Sequence, residues 1–137
     1  MFIPKLHFCE RVTGNLYMVV MDRVDGKSLW QLQMEGTPVP RVVFEKVQKA
    51  VHLLHHEDIV IGDLRAPNIL YVASKGKDEG CVMLVDFDWP AKDEEGRYPA
   101  VLNPNNDWCE DVLPYGIMRK SHDLWQLDRL EDACGSV

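Results

Sequence analysis

Residues 60–70 read VIGDLRAPNIL, between a helical pattern and a turn-rich stretch. Asp63 and Asn68 stand five positions apart, with Pro67 between them to stiffen the turn. Working outward, Ile69 to Ala73 is a short β-rich run, SKGKDEG (74–80) is a polar turn, and Cys81 to Val85 is a second β-rich run. That run ends in Asp86-Phe87-Asp88. A hairpin over 69–85 folds back on itself and brings Asn68 and Asp86 to the same end. The carboxylates of Asp63 and Asp86 and the amide oxygen of Asn68 then suit a hard cation such as Mg²⁺, which prefers oxygen ligands and keeps several waters.

The chain on either side divides by its periodicity. Residues 2–12 and 16–23 are apolar-rich runs joined at Thr13-Gly14-Asn15, the pattern of a β-hairpin. Ser28 is placed to cap a short helix over 29–35, and residues 36–40 (GTPVP) form a loop. From Arg41 to His56, apolar residues at 43, 44, 47, 50, 51 and 54 form a helical stripe that should enter the core. Residues 89–119 are rich in Pro, Asn, Asp and Gly and read as a long irregular segment. Helical spacing returns over 121–130.

Composition narrows the classes. A chain of 137 residues, 46% hydrophobic, can bury one core and is most simply a single domain. No run approaches the ~20 apolar residues of a membrane span, and the N-terminus lacks a signal-peptide pattern. The four cysteines, at 9, 81, 109 and 134, show no metal-type spacing and read as reduced thiols, which points to a cytoplasmic protein. A net charge of −7 with scattered basic residues argues against nucleic acid as partner but not against a nucleotide. His52, His55 and His56 share a helix face, where cationic groups suit a helix C-terminus. Trp89, Trp108 and Trp125 read as packing residues, Asp88 as a turn residue, and Asp93-Glu94-Glu95 as a solvated loop face.

The stretch from Asp63 to Leu70 resembles the catalytic loop of protein kinases and kinase-like phosphotransferases, and Asp86-Phe87-Asp88 resembles their metal-binding triplet. The resemblance implies Asp63 as the base that takes the proton of an attacking hydroxyl, with Asn68 and Asp86 as metal ligands. Arg65 falls where kinases often carry a Lys that meets the transferred phosphate. MDRVDGKSL (21–29) resembles the hinge that meets adenine. By that match Met21 is the gatekeeper, Asp22 and Val24 offer hinge backbone groups, and Leu70 floors the purine. Asp123-Leu124-Trp125 resembles the start of the family's central helix, whose Asp braces the catalytic loop. The implied cofactors are ATP and Mg²⁺, or Mn²⁺. The wording of 84–125 further resembles small fungal kinase-like proteins.

The implied fold is α+β, a truncated protein-kinase-like fold. Residues 1–27 correspond to a small-lobe hairpin and hinge, and 28–137 to a mostly helical partial large lobe, in one domain. The family's glycine-rich loop and strand Lys have no counterpart in the sequence, and Ile61-Gly62 replaces the usual His-Arg before the Asp. The implied function is ATP- and Mg²⁺-dependent phosphoryl transfer to a hydroxyl of a protein or small molecule. The rival expectations are a pseudokinase, a binding module, or a fragment of a longer kinase-like protein. The apolar hairpin also predicts cover by a second copy or a partner chain.

Overall fold

The computed structural model describes residues 2–73 and 80–134, so the predicted turn at 74–80 lies outside the described residues except for Gly80. Strands β1 (Leu6–Arg11) and β2 (Tyr17–Met21) pair antiparallel as the predicted hairpin, with Gly14 at φ 62° supplying the left-handed turn residue. The hairpin is a sheet of its own. Both of its faces are open, since every residue of the two strands is exposed.

Strand β3 (Lys27–Ser28) runs directly into α1 (Leu29–Met34). Ser28 caps that helix as predicted: its Oγ accepts from Gln31 N, while Gln31 Oε1 accepts from Ser28 N. This reciprocal box satisfies two orphan donors of the first turn. Helix α2 (Arg41–His56) follows the predicted bounds and buries Val43, Phe44, Val47, Ala50 and Val51. After β4 (Ile59–Val60) and a 3₁₀ turn at Ala66–Asn68 come β5 (Ile69–Val72) and β6 (Cys81–Leu84). These form a three-stranded antiparallel sheet in the order β3-β5-β6. Strand β7 (Ala91–Lys92) pairs with β4, and α3 (Lys120–Ala133) closes the described chain. No helix among the described residues is long and apolar enough to cross a membrane.

Among the described residues the architecture is α+β, with three α-helices and small antiparallel sheets. The part after residue 28 is less helical than expected, because 85–119 is as substantial as the helices. One main core is accompanied by a smaller satellite cluster. Helices α1, α2 and α3 and the β5–β6 hairpin enclose the larger cluster, around Val43, Val51, Leu64, Ile69 and Leu127. A second cluster lies within the segment read as irregular, where Val60, Tyr98, Val112 and Met118 pack with Trp89, Leu102 and Trp108. Trp89 stacks on Trp108 with ring centroids 5.8 Å apart. Aromatic side chains bury much area each, so a few of them order a segment without periodic structure.

The acidic run at 93–95 is likewise not only a solvated face. Asp93 Oδ1 accepts from Lys120 N at 3.0 Å, capping the start of α3 from outside, and Glu94 pairs with Arg119.

Candidate functional site

The loop of residues 61–68 hangs from the first turns of α3. Asp123 is fully buried; its Oδ2 accepts from Ile61 N and its Oδ1 from Gly62 N, both at 2.8 Å. One helical turn on, Gln126 Oε1 accepts from Leu64 N at 2.8 Å. A carboxylate receiving backbone N–H groups forms charge-assisted bonds, stronger than neutral ones. The bracing that the resemblance assigned to Asp123 is therefore present as geometry.

His55 completes this hub. Its Nε2 lies 2.8 Å from Asp123 Oδ2, and its side chain is only 11% exposed. His55 and His56 both lie in the last turn of α2, in line with the helix-end reading; His56 is solvent-facing beside Glu57, whereas His55 is turned into the hub. The signal present in the sequence was its place on the helix face. Its partner, 68 residues away, was not visible.

Gly62 shows why the residue before Asp63 is small. Its φ is +78°, and a Cβ there would stand 2.3 Å from Met118 Cε. Met118 is itself fully buried. Gly62→Ala is expected to destabilise the fold by roughly 1–2 kcal/mol through the left-handed backbone alone, read as a lower denaturant midpoint. An unchanged midpoint would show that the loop accepts another conformation.

Asp63 is almost buried and both of its carboxylate oxygens are engaged. Arg65 Nε donates to Oδ1 and Arg65 Nη2 to Oδ2 at 2.8 Å, while Asn68 Nδ2 donates to Oδ2 at 2.9 Å. Asn68 Nδ2 also reaches Asp63 O at 3.0 Å, closing the loop on itself. The bonds to Asp63 push the Arg65 guanidinium further above its ordinary range, against some desolvation, with the Asp86 charge adding to the effect. The far side of Arg65 lies over the Trp108 ring, 5.8 Å from its centroid.

The β5–β6 ladder carries the second half of the site. Ile69 pairs with Leu84, and just beyond that pair Val85 N donates to Asn68 O at 2.9 Å. Asp86 comes next, in the left-handed region at φ 65°, and Asp86, Phe87 and Asp88 are exposed. The predicted convergence of Asn68 and Asp86 at one hairpin end is thus found, with Asp63 and Arg65 beside them. Among the described residues no group of three or more His, Cys, Asp and Glu side chains is disposed to hold a metal ion. A cation here would rely on the Asp86 carboxylate, the Asn68 amide oxygen and water.

The hinge residues are placed less tightly. Asp22 N donates to Lys5 O at 2.9 Å, which commits that group to the hairpin. Met21 ends β2 and is exposed, and Val24 is half-buried on the way to β3. Leu70, half-buried, lies between Ser28 and Met83 in the three-stranded sheet. On the Arg65 side, a cleft of about 620 Å³ opens between α1, α3 and residues 105–107, lined by Trp30, Gln33, Asn105, Trp125 and Arg129. Sequence reading did not anticipate it.

No protein-family model matches the chain. Individual proteins do, and they make it a distant homologue of the serine/threonine protein kinases, within the protein-kinase-like superfamily. Over 124 residues it is 32% identical to Protein kinase 2 of Dictyostelium discoideum, an alignment covering 79% of this chain and 25% of that protein. Over 150 residues it is 31% identical to the serine/threonine-protein kinase sck1 of Schizosaccharomyces pombe, covering 98% of this chain and 20% of that protein. The chain thus spans a quarter or less of the length of these relatives.

Proposed function

We propose that this chain is the core of a kinase-like phosphotransferase, in which Asp63, Asn68 and Asp86 serve one nucleotide and one hydroxyl acceptor. The observation that supports the reading is that Asn68, bonded to Asp63 through its side chain and to Val85 through its backbone, sets the braced loop beside the end of β6 that leads into Asp86. In this reading residues 1–27 are the hinge-side piece of a kinase-like fold and 28–137 its partial large lobe.

The assigned roles follow from the atoms left available. Asn68 commits Nδ2 to Asp63, so Oδ1 is the atom it can offer a cation. Asp86 offers an exposed carboxylate one residue past the end of the ladder. One amide and one carboxylate suit Mg²⁺ or Mn²⁺ carried by ATP, since such ions take few protein ligands and keep water and phosphate oxygens. When bound, the ion would neutralise phosphate charge. In this reading the backbone of Asp22 and Val24 meets the adenine edge, with Met21 as gatekeeper and Leu70 as the floor of the purine. Asp63 takes the proton of an acceptor hydroxyl entering from the cleft beside Arg65. For this, Arg65 must swing from Asp63, and an anionic phosphate is the partner its guanidinium would accept in exchange.

A second reading, a pseudokinase or binding module, is favoured by one specific observation. Both oxygens of Asp63 are already held by Arg65 and Asn68, as in a structural ion pair. Under that reading the nucleotide binds and no transfer follows.

Both readings predict binding, which a melting experiment tests. ATP with Mg²⁺ or Mn²⁺ is expected to raise the melting temperature by linkage. Asp86→Ala should remove the metal-dependent part of that rise. A variant that shifts as much as the parent would take Asp86 out of the site.

A further inference from the structure

The last turns of α2 send their histidines in two directions. His55 turns inward to Asp123, whereas His52 and His56 are exposed. Positions 52 and 56 are four apart, so on a helix their side chains rise from one face with Cβ atoms about 5–6 Å apart. They border a depression of about 330 Å³ whose lining is completed by Glu45, Gln48, Lys49 and Leu53. Neither histidine has a part in the proposed phosphoryl transfer.

The surroundings favour a cation. The C-terminal end of a helix is the negative pole of its backbone dipole, and His56 is the last residue of α2. Glu57 follows directly, with its Oε1 3.3 Å from His56 Nδ1. A ring nitrogen that faces a carboxylate carries the proton, so His56 Nε2 keeps its lone pair. This is the arrangement in which an imidazole meets a metal: one nitrogen oriented by a carboxylate, the other free to donate electrons. Lys49 stands a turn before His52, and Glu45, a turn before Lys49, offsets its charge.

We propose that His52 and His56 chelate one divalent transition-metal ion across the end of α2, through a ring nitrogen of each, with water in the remaining positions. Imidazole nitrogen suits Ni²⁺, Cu²⁺ and Zn²⁺, whereas Mg²⁺ takes oxygen ligands. The ion class therefore differs from the one assigned to Asn68 and Asp86. Among the described residues no third His, Cys, Asp or Glu side chain joins the pair. The site is accordingly an open one, with coordination positions left for water or for a donor on another molecule. The chelate also spans His55, which lies between its two ligands and bonds Asp123. Occupancy thus stiffens the turn from which the hub of the 61–68 loop is held.

Calorimetric titration of the untagged chain with Ni²⁺ is expected to show one saturable site per chain. The same ion should raise the melting temperature by linkage, whereas Mg²⁺ at equal concentration and without nucleotide should not. His52→Ala and His56→Ala each remove one of two ligands, and each should abolish both effects. Both side chains are exposed, so neither variant should unfold the chain, which circular dichroism checks. His7→Ala, which removes an exposed histidine on β1, should bind Ni²⁺ as the parent does. A parent without saturable Ni²⁺ binding overturns the proposal. So does parental affinity in either α2 variant, or a stoichiometry of half an ion per chain, which would put the ligands on two copies.

Discussion

Asp123→Ala is expected to lower the unfolding free energy by about 3–5 kcal/mol, the usual cost of breaking a fully buried charged network by removing one partner. The carboxylate has no exposure, and three donors converge on it: Ile61 N, Gly62 N and His55 Nε2. Without it two backbone N–H groups and a largely buried imidazole lose their acceptor, and each unsatisfied group costs roughly 1–3 kcal/mol. Set against a typical domain stability of about 5–15 kcal/mol, the loss removes a large share. Asp123→Asn should fall between, since its amide keeps one acceptor but presents N–H to an N–H donor. Urea denaturation followed by circular dichroism measures both variants. A shift below about 1 kcal/mol for the alanine variant would mean that the loop finds other partners, and that the hub does not hold it.

Asp63→Asn is expected to leave the fold standing and to cut any phosphoryl transfer by roughly 10²-fold or more. The amide matches the carboxylate in size but cannot accept the hydroxyl proton. It also ends the two-point ion pair, so Arg65 keeps at most one bond to this position. Nucleotide binding should survive, because adenine and phosphate contacts lie on other residues in the proposed arrangement. Transfer that persists unchanged in Asp63→Asn would come from a contaminating enzyme. Equal inactivity of parent and variant, with binding intact in both, would select the pseudokinase reading.

Elements with a repeating pattern were legible in the sequence, and elements defined by a distant partner were not. Helix α2 declared itself through its stripe from Val43 to Val51, α1 through Ser28, and the first hairpin through Gly14 between two β-rich runs. The convergence of Asn68 and Asp86 followed from the fold-back of a single hairpin, a local matter. The two-residue strands β3, β4 and β7 have no period to read, since two positions define none. The cluster around Tyr98 and Trp108 was hidden because its aromatics are irregularly spaced, and loop composition masked them. The engagement of Asp63 by Arg65 lay within reach of a two-residue spacing, yet which way a guanidinium turns depends on Trp108 and Asp86 as well.

The hub at Asp123 also orders events in time. Its bonds to Ile61 and Gly62 join residues 62 and 61 positions apart, and the bond from Gln126 to Leu64 spans 62. Contacts of such span form only after a long loop has closed, which makes them slow and late relative to local structure. During synthesis α1, α2 and the β5–β6 hairpin can be complete while the segment around Asp63 still lacks its anchors, because α3 has not emerged. The nascent chain therefore passes through a stage with much of its secondary structure in place and its candidate chemistry unassembled. Docking of the last described helix is the step that fixes the loop of residues 61–64 in place.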